Sequence, residues 1–387
     1  MYGILNALAL ANHDVYFISN VKIKNKFNKK IVHIPINYDF TVIQKRLLQG
    51  LLSIFPACFV YILYKKLFIK IKKAFAEVNL KNEPVIFFQY LDTSIAYILK
   101  KKNIIRGYIN DVEGIGPTEF SSMIKYSNNI KTKLIYSLKY IMSVKLDHKI
   151  FNNGDGYIYA SEKMKNFYGK IIKGKQKPKS YIIPYVLDET IPREVDKSLK
   201  LNILKKYTIS SDEFVFLFSG SYKATSGIED LISAFNKINS HYKNTKLIII
   251  CGYFTKYFPG EQNKNIIIIE GIPYEQLFTY QSIAHVIVCP DRMNPFSNMI
   301  VHVKYFDALI SGKLVICGSF ASVKELNKED CLSLSFEPSN VDSLYAAMNN
   351  TIDNYDILKN KYEYVSKYAN DNLTYLSYMD LLGYGRD

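Results

Sequence analysis

The sequence contains no tryptophan and only five cysteines in 387 residues. Cys58, Cys251, Cys289, Cys317 and Cys331 form no CxxC pair, and no histidine stands at ligand spacing from them. That argues against a zinc site, and scattered, odd-numbered thiols fit a reducing cytosol. A secretory leader is also missing from the opening residues MYGILNALALANHDVYFIS, which lack a basic n-region. Acidic residues are in deficit: 50 Lys and Arg face 35 Asp and Glu, a net charge of +15. An excess of that size points to an anionic partner, whether nucleic acid, an acidic membrane face or a phosphorylated substrate. Nucleic acid is the weakest of the three. There is no helix-turn-helix spacing, zinc pattern or RNP-like aromatic motif, and the basic residues are dispersed.

Long uncharged runs are scarce too. The nearest is 47–64, LLQGLLSIFPACFVYILY, which is interrupted by Gln49, Gly50, Ser53 and Pro56 and followed at once by KKLFIKIKK. It reaches about the minimum spanning length, so a buried or interfacial helix is expected there. Two readings of 47–73 stay open on spacing: a core helix with a solvated basic end, or a segment lying on an anionic membrane surface. The excess of positive charge favours the membrane.

What is present is a globular α/β pattern. Hydrophobic residues make up 48% and charged residues 22%, which excludes disorder, and the length suits two domains at roughly 150 residues each. Short apolar runs alternate with longer amphipathic ones. In the first half, strands are expected at 14–19, 30–35, 84–90, 104–110, 156–161 and 181–186, with helices at 92–102, 131–146 and 162–170. A polar stretch, 188–207, reads as a linker. A second series follows, with strands at 214–219, 247–251, 266–270, 286–289 and 314–317. A helix from about Gly227 carries Ile228, Leu231, Ile232, Phe235 and Ile238 at helical spacing. The expected domains are 1–187, the linker 188–207, 208–353 and a helical tail 354–387. Ligands of such sheets bind at the carboxyl ends of the strands, which points to a cleft between two facing, doubly wound domains.

Two stretches carry candidate chemistry. In 214–235, FVFLFSGSYKATSGIEDLISAF, a strand ends in Gly220-Ser221, a short loop carries Lys223, and a helix opens after Ser226-Gly227. Small residues, free helix-terminal N–H groups and a lysine suit an anion, although an ordinary strand–turn–helix has the same outline. In 286–318, VIVCPDRMNPFSNMIVHVKYFDALISGKLVICG, Lys304 and Asp307 lie three apart on one helical face. They are either a surface ion pair or, for Asp307, a carboxylate aimed at a ligand diol. Spacing alone leaves both open.

The order of these motifs, continued by LIIICG, IIIIEGIPYEQLFTY and VKYFDALISGKLVI, resembles the retaining family 4 glycosyltransferases of GT-B fold, closest to bacterial members that build capsule, O-antigen and related surface glycans. YINDVEGIGPTEF, GYIYASEKMKNFY and SYIIPYVLD in the first half resemble that family's acceptor domain. The resemblance implies a metal-independent hexosyltransferase with a nucleotide diphosphate sugar as co-substrate, no cofactor, and a glycan or lipid-linked acceptor. The absence of a DxD motif is consistent with that. It places Gly220, Ser221 and Lys223 at the donor diphosphate and Gly271 and Ile272 at the nucleobase. Pro295, Phe296, Ser297 and Asn298 fall where backbone N–H groups meet the donor sugar. Asp307 holds the ribose, beside Lys304, and Lys223 and Asp307 carry the chemistry. Gly3, Asp111, Glu113 and Glu119 fall to the acceptor, although Asp111 and Glu119 also read as capping residues. Localisation is expected to be cytoplasmic, peripheral on the inner face of the plasma membrane.

The sequence departs from that family in three places. Met299 occupies the position of the first motif glutamate, and Ser226 replaces the lysine before the helix, leaving Lys223 to supply the cation. The family opens with a strand and a glycine-rich turn, whereas this chain starts at what reads as the first helix, so the first strand is expected to be missing.

Overall fold

The computed structural model describes residues 5, 8–9, 12–19, 29–36, 38, 41–78, 85–87, 90–112, 114–127, 129–173, 178–184, 193–252 and 263–373. The chain forms two compact units that divide between Val186 and Leu187. Gly3 and Glu113 lie outside the described residues.

Among the described residues, the first unit holds two parallel sheets. β1 (Val15–Ser19) pairs with β2 (Ile31–Pro35); β3 (Ile86–Phe87), β4 (Ile109–Val112), β5 (Gly156–Tyr159) and β6 (Lys179–Ile182) form a second sheet in that order. Leu8 packs against the apolar clusters of both sheets, Val15, Phe17 and Ile31 on one side and Ile158 and Ile183 on the other. β4 begins later than its apolar run suggests and includes Asp111, expected in a loop. The cause is a turn pinned by Asp155, whose carboxylate accepts the Tyr108 N–H at 3.0 Å and the Lys100 ammonium at 2.6 Å.

The apolar segment 47–64 is not one helix. It folds as Val42–Ile54 and Ala57–Leu63, separated at Pro56, whose ring removes a donor and breaks the ladder. Thr41 and Gln44 form a reciprocal capping box at the start of the first of these. A third helix, Lys65–Glu77, buries Leu67, Phe68, Ile71 and Ala74, so its apolar face belongs to the core. Among the described residues, no helix is long and apolar enough to cross a membrane.

The second unit is built on one six-stranded parallel sheet: β7 (Phe214–Ser219), β8 (Thr245–Ile250), β9 (Ile266–Ile269), β10 (Val286–Cys289), β11 (Leu314–Gly318) and β12 (Leu334–Phe336). Their spatial order is β12-β11-β10-β7-β8-β9. Predominantly apolar runs form these strands because a parallel sheet covered on both faces needs apolar side chains on both. The chain moves outward from β7 through β8 to β9, then returns to the other side of β7 with β10. The strand order therefore reverses between β7 and β10, the point at which open α/β sheets bind their ligands.

The second half of the expected linker is a helix, Lys197–Lys206, whose N-terminus is capped by the Asp196 carboxylate accepting the Leu199 N–H at 2.9 Å. Asp196 N–H donates to Thr279 and Lys200 reaches the Ser282 carbonyl, fastening this helix to the second unit. The described part of the tail does the same: the Tyr362 hydroxyl donates to the Asp330 carbonyl and Ser366 to that of Ile310.

Candidate functional site

At the carboxyl edge of the second sheet, strand register brings separate loops level. Ser219, Ile250 and Ile269 are aligned across β7, β8 and β9, so Gly220, Cys251 and Glu270-Gly271 leave the sheet at one edge. Gly220 N–H donates to Ile250 and Cys251 N–H to Ile269, extending the ladder by one step.

The loop after β7 lies directly on the loop after β10. Gly227, at φ +68°, ends the first loop, and a Cβ there would stand 1.8 Å from the Pro290 carbonyl oxygen. Only glycine fits, both for its left-handed backbone and for that approach. Arg292 N–H donates to the Thr225 carbonyl at 2.9 Å. The Arg292 guanidinium makes a two-pronged contact with Asp230, at 2.8 and 2.6 Å, and lies 3.4 Å from Glu229. Glu229 and Asp230 occupy the first turn of the helix Ile228–His241, where they already complement its dipole. That N-terminus therefore offers an incoming anion less than its bare N–H groups suggest, and more of the task falls to lysine side chains.

Two lysines are placed for it. Lys223 is exposed on the loop, and its charge helps to keep the His302 imidazole below its ordinary pKa. Among the described residues, no carboxylate lies within ion-pair distance of it. Lys304 starts from the helix Val303–Ile310; its stem passes the Gly220 Cα face and its ammonium lies 5.0 Å above the Phe218 ring. That ammonium pairs with Asp291 at 2.8 Å, and Asp291 is buried. The spacing alternative in which Lys304 pairs with Asp307 is not what forms: Lys304 is held by Asp291. Burial is the main cause of the depressed His302 pKa, Asp291 opposes it, and Lys304 and Lys223 add to it.

Asp307 stands on the same helix, half-buried, and accepts the Tyr274 hydroxyl at 2.5 Å. Burial pushes its carboxyl up to about 6, against the Tyr274 hydrogen bond and the Arg193 charge, which both lower it. Tyr274 follows Gly271 and Ile272 by a few residues, so the loop after β9 crosses the strand ends to reach Asp307. Gly271 adopts φ +81° at the start of that crossing. Tyr274 thereby links the segment expected at the base to the residue expected at the ribose.

The loop 290–302 is tightly self-bonded. Asn294 accepts the Ser297 N–H on its side chain and the Asn298 N–H on its carbonyl, and Phe296 accepts those of Met299 and Ile300. The Asn298 side chain accepts the Ala321 N–H, and Ser297 Oγ meets both Asn294 and His302. The amides of Ser297 and Asn298, expected to face the donor sugar, are spent inside the loop, because a buried turn must satisfy its own backbone. Only an opening of this turn would present them to a ligand. Met299 is buried, 7% exposed, and its thioether cannot stand in for a glutamate.

In the first unit, Asp111 is buried within β4, and Glu119 is exposed in the first turn of the helix Gly116–Tyr126, where a carboxylate complements the dipole. Asp291, Arg292, Asn294, His302 and Tyr274 complete the site and were not singled out from sequence. Asp291 and Arg292, the first charged pair after β10, were the one available signal. Among the described residues, no group of three His, Cys, Asp or Glu side chains is placed to hold a metal.

Residues 200–371, within the second unit, match the family model described as "Glycosyl transferases group 1". The chain superimposes on sucrose-phosphate synthase from Thermosynechococcus elongatus with a TM-score of 0.70 at 14% identity, covering 98% of this chain and 90% of that one. WaaG, a glycosyltransferase involved in lipopolysaccharide biosynthesis, gives 0.63 at 13% identity, covering 97% and 92%. Anabaena HepE in complex with UDP gives 0.62 at 11%, covering 96% and 98%. The fold is GT-B. Identities this low speak for the fold alone. A search of curated protein sequences finds no match.

Proposed function

We propose that this GT-B protein transfers a sugar from a nucleotide diphosphate donor to a glycan or lipid-linked acceptor in surface polysaccharide synthesis, with retention and without a metal. The observation that carries the reading is the meeting of Tyr274 and Asp307 beside the Gly220 loop and Lys304, at the point where the strand order reverses. It is supported by the glycosyl transferases group 1 match over the same unit and by similar folds solved with UDP and UDP-glucose.

In this reading the Asp307 carboxylate accepts both ribose hydroxyls, and Gly271-Ile272 flank the base. As the sugar–oxygen bond breaks, charge grows on the diphosphate; Lys223 and Lys304 face it in place of water. The departing phosphate oxygen takes the acceptor's proton on the face where the new bond forms, so retention needs no separate base. Asp291 holds Lys304 beside the Gly220 turn so that its position is set before the donor arrives.

Met299 favours a second reading, a non-catalytic protein that binds a nucleotide or partner. Thermal unfolding with a panel of nucleotide diphosphate sugars tests the first step; saturation at 100 times Kd adds about 2.7 kcal/mol to the folded state. A shift with one sugar nucleotide followed by transfer or hydrolysis supports the enzyme. Binding with neither favours the second reading, and no shift with any of them removes the enzyme and the nucleotide-binding form of the second reading.

A further inference from the structure

The helix Ile130–Phe151 carries Ile130, Leu134, Leu138 and Ile141, spaced four, four and three residues apart. That spacing puts them on one face of the helix. The face is turned to solvent: Ile130 is 76% exposed, Leu134 67% and Leu138 60%. The helix Val42–Ile54 repeats the pattern with Ile43, Leu47 and Ile54, all exposed. Gly50 falls on that same stripe, and a Cβ there would come 2.8 Å from Met142 Cε, so the two stripes adjoin. Lys149 ties the helices together by donating to the Leu52 and Phe55 carbonyls. Phe59, Ile62 and Leu63 continue the exposed surface along Ala57–Leu63. Contiguous apolar area on this scale marks an interaction surface.

Charge selects the occupant. Residues 41–76 contain seven Lys and Arg and residues 129–146 contain four, with no Asp or Glu in either stretch. Lys45 is committed to Asp92; Lys131 and Lys133 flank the stripe of the longer helix, and Lys65, Lys66, Lys70, Lys72 and Lys73 follow the shorter one. A second copy of the chain would bring two positive rims together. A pair of helices with aliphatic side chains outward and lysines around them suits a flat anionic surface, where lysine stems reach up to lipid headgroups.

We infer that this face of the first unit seats the protein on an anionic lipid bilayer, with Ile130, Leu134, Leu138, Ile141, Ile43 and Leu47 entering the headgroup boundary. The inference stands apart from the sugar-transfer reading, because it concerns the first unit and is read out without donor or acceptor. Of the membrane contact expected from sequence at 47–73, Leu47 stays in this face, the apolar side of Lys65–Glu77 is core, and the helix Ile130–Phe151 is added.

The test is co-sedimentation of the full chain with vesicles of phosphatidylcholine, with and without phosphatidylglycerol. Binding should require phosphatidylglycerol and weaken as salt is raised. Replacing Leu134→Ser with Leu138→Ser, or Ile43→Ser with Leu47→Ser, should weaken it by roughly tenfold or more, given the apolar area withdrawn. Leu201→Ser, equally exposed at 68% on the second unit, should leave it unchanged. All of these side chains face solvent, and an unchanged thermal midpoint confirms that each variant folds. Absence of binding at low salt, equal binding to neutral vesicles, or binding unaffected by the paired substitutions overturns the inference. So does a wild-type dimer in light scattering that Leu134→Ser with Leu138→Ser converts to monomer.

Discussion

If Asp307 holds the donor ribose as a carboxylate, donor affinity must follow its titration. Burial raises its pKa to about 6, so at pH 8 almost every molecule is ionised and at pH 5 only about one in eleven is. A protonated carboxyl can accept at one oxygen but no longer offers two acceptors to a diol. The apparent Kd should therefore rise about tenfold between pH 8 and pH 5, roughly 1.4 kcal/mol. UDP-glucose is the suitable probe, because its diphosphate, esterified at both ends, does not titrate in this range. His302 works in the opposite direction: held below its usual pKa, it gains charge only at the acid end, where it would favour phosphate. Asp307→Asn should accordingly bind more weakly at pH 8 and show a flat profile, or one slightly tighter at pH 5. Tyr274→Phe removes a hydrogen bond that lowers the Asp307 pKa, so its midpoint should move upward. Isothermal titration across pH 5 to 8 measures all three. The ligand-free protein should show the reverse trend in stability. A folded pKa above the ordinary 3.8 contributes stability that is full below that value and is lost as pH rises through about 6. A wild-type Kd constant within twofold, or an identical slope in Asp307→Asn, would refute the ribose assignment.

Lys223→Ala should weaken a nucleotide diphosphate more than the corresponding nucleoside, since only the phosphates lose a partner; equal effects on both would count against the loop assignment. Gly227→Ala places a methyl group against the Pro290 carbonyl at positive φ and should cost more than the ~1–2 kcal/mol of the backbone alone, read as a fall in urea midpoint. Arg292→Met strips Asp230 of its two-pronged partner and leaves Glu229 only the Tyr222 hydroxyl; in this partly exposed cluster that should lower stability by about 2 kcal/mol and weaken diphosphate binding. A variant with wild-type stability and affinity would show that Arg292 does not organise the junction of the two loops.

The elements of the second unit were legible because their sequences admit few alternatives. Phe214–Ser219, Ile266–Ile269 and Val286–Cys289 are short, apolar but for the terminal Ser219, and bounded by turn residues, which is how strands buried on both faces must read. The helix after Gly227 shows its core face directly in its spacing. With the order of those elements, the parallel sheet and its carboxyl edge follow. Partnerships across the sheet do not. Asp307 meets Tyr274 from 33 residues away, and Arg292 meets Asp230 from 62, because loops that leave different strands converge only after the sheet has formed. Lys304 and Asp307 share a helical face, yet Lys304 pairs with Asp291 and Asp307 with Tyr274, so spacing named the pair of residues and packing chose their partners. The same limit governs the first unit. Lys65–Glu77 and the first half of Ile130–Phe151 both carry apolar residues at helical spacing; in one they are core, in the other they face solvent. Periodicity states which side chains lie on one face of a helix. What covers that face is decided by the elements packed around it.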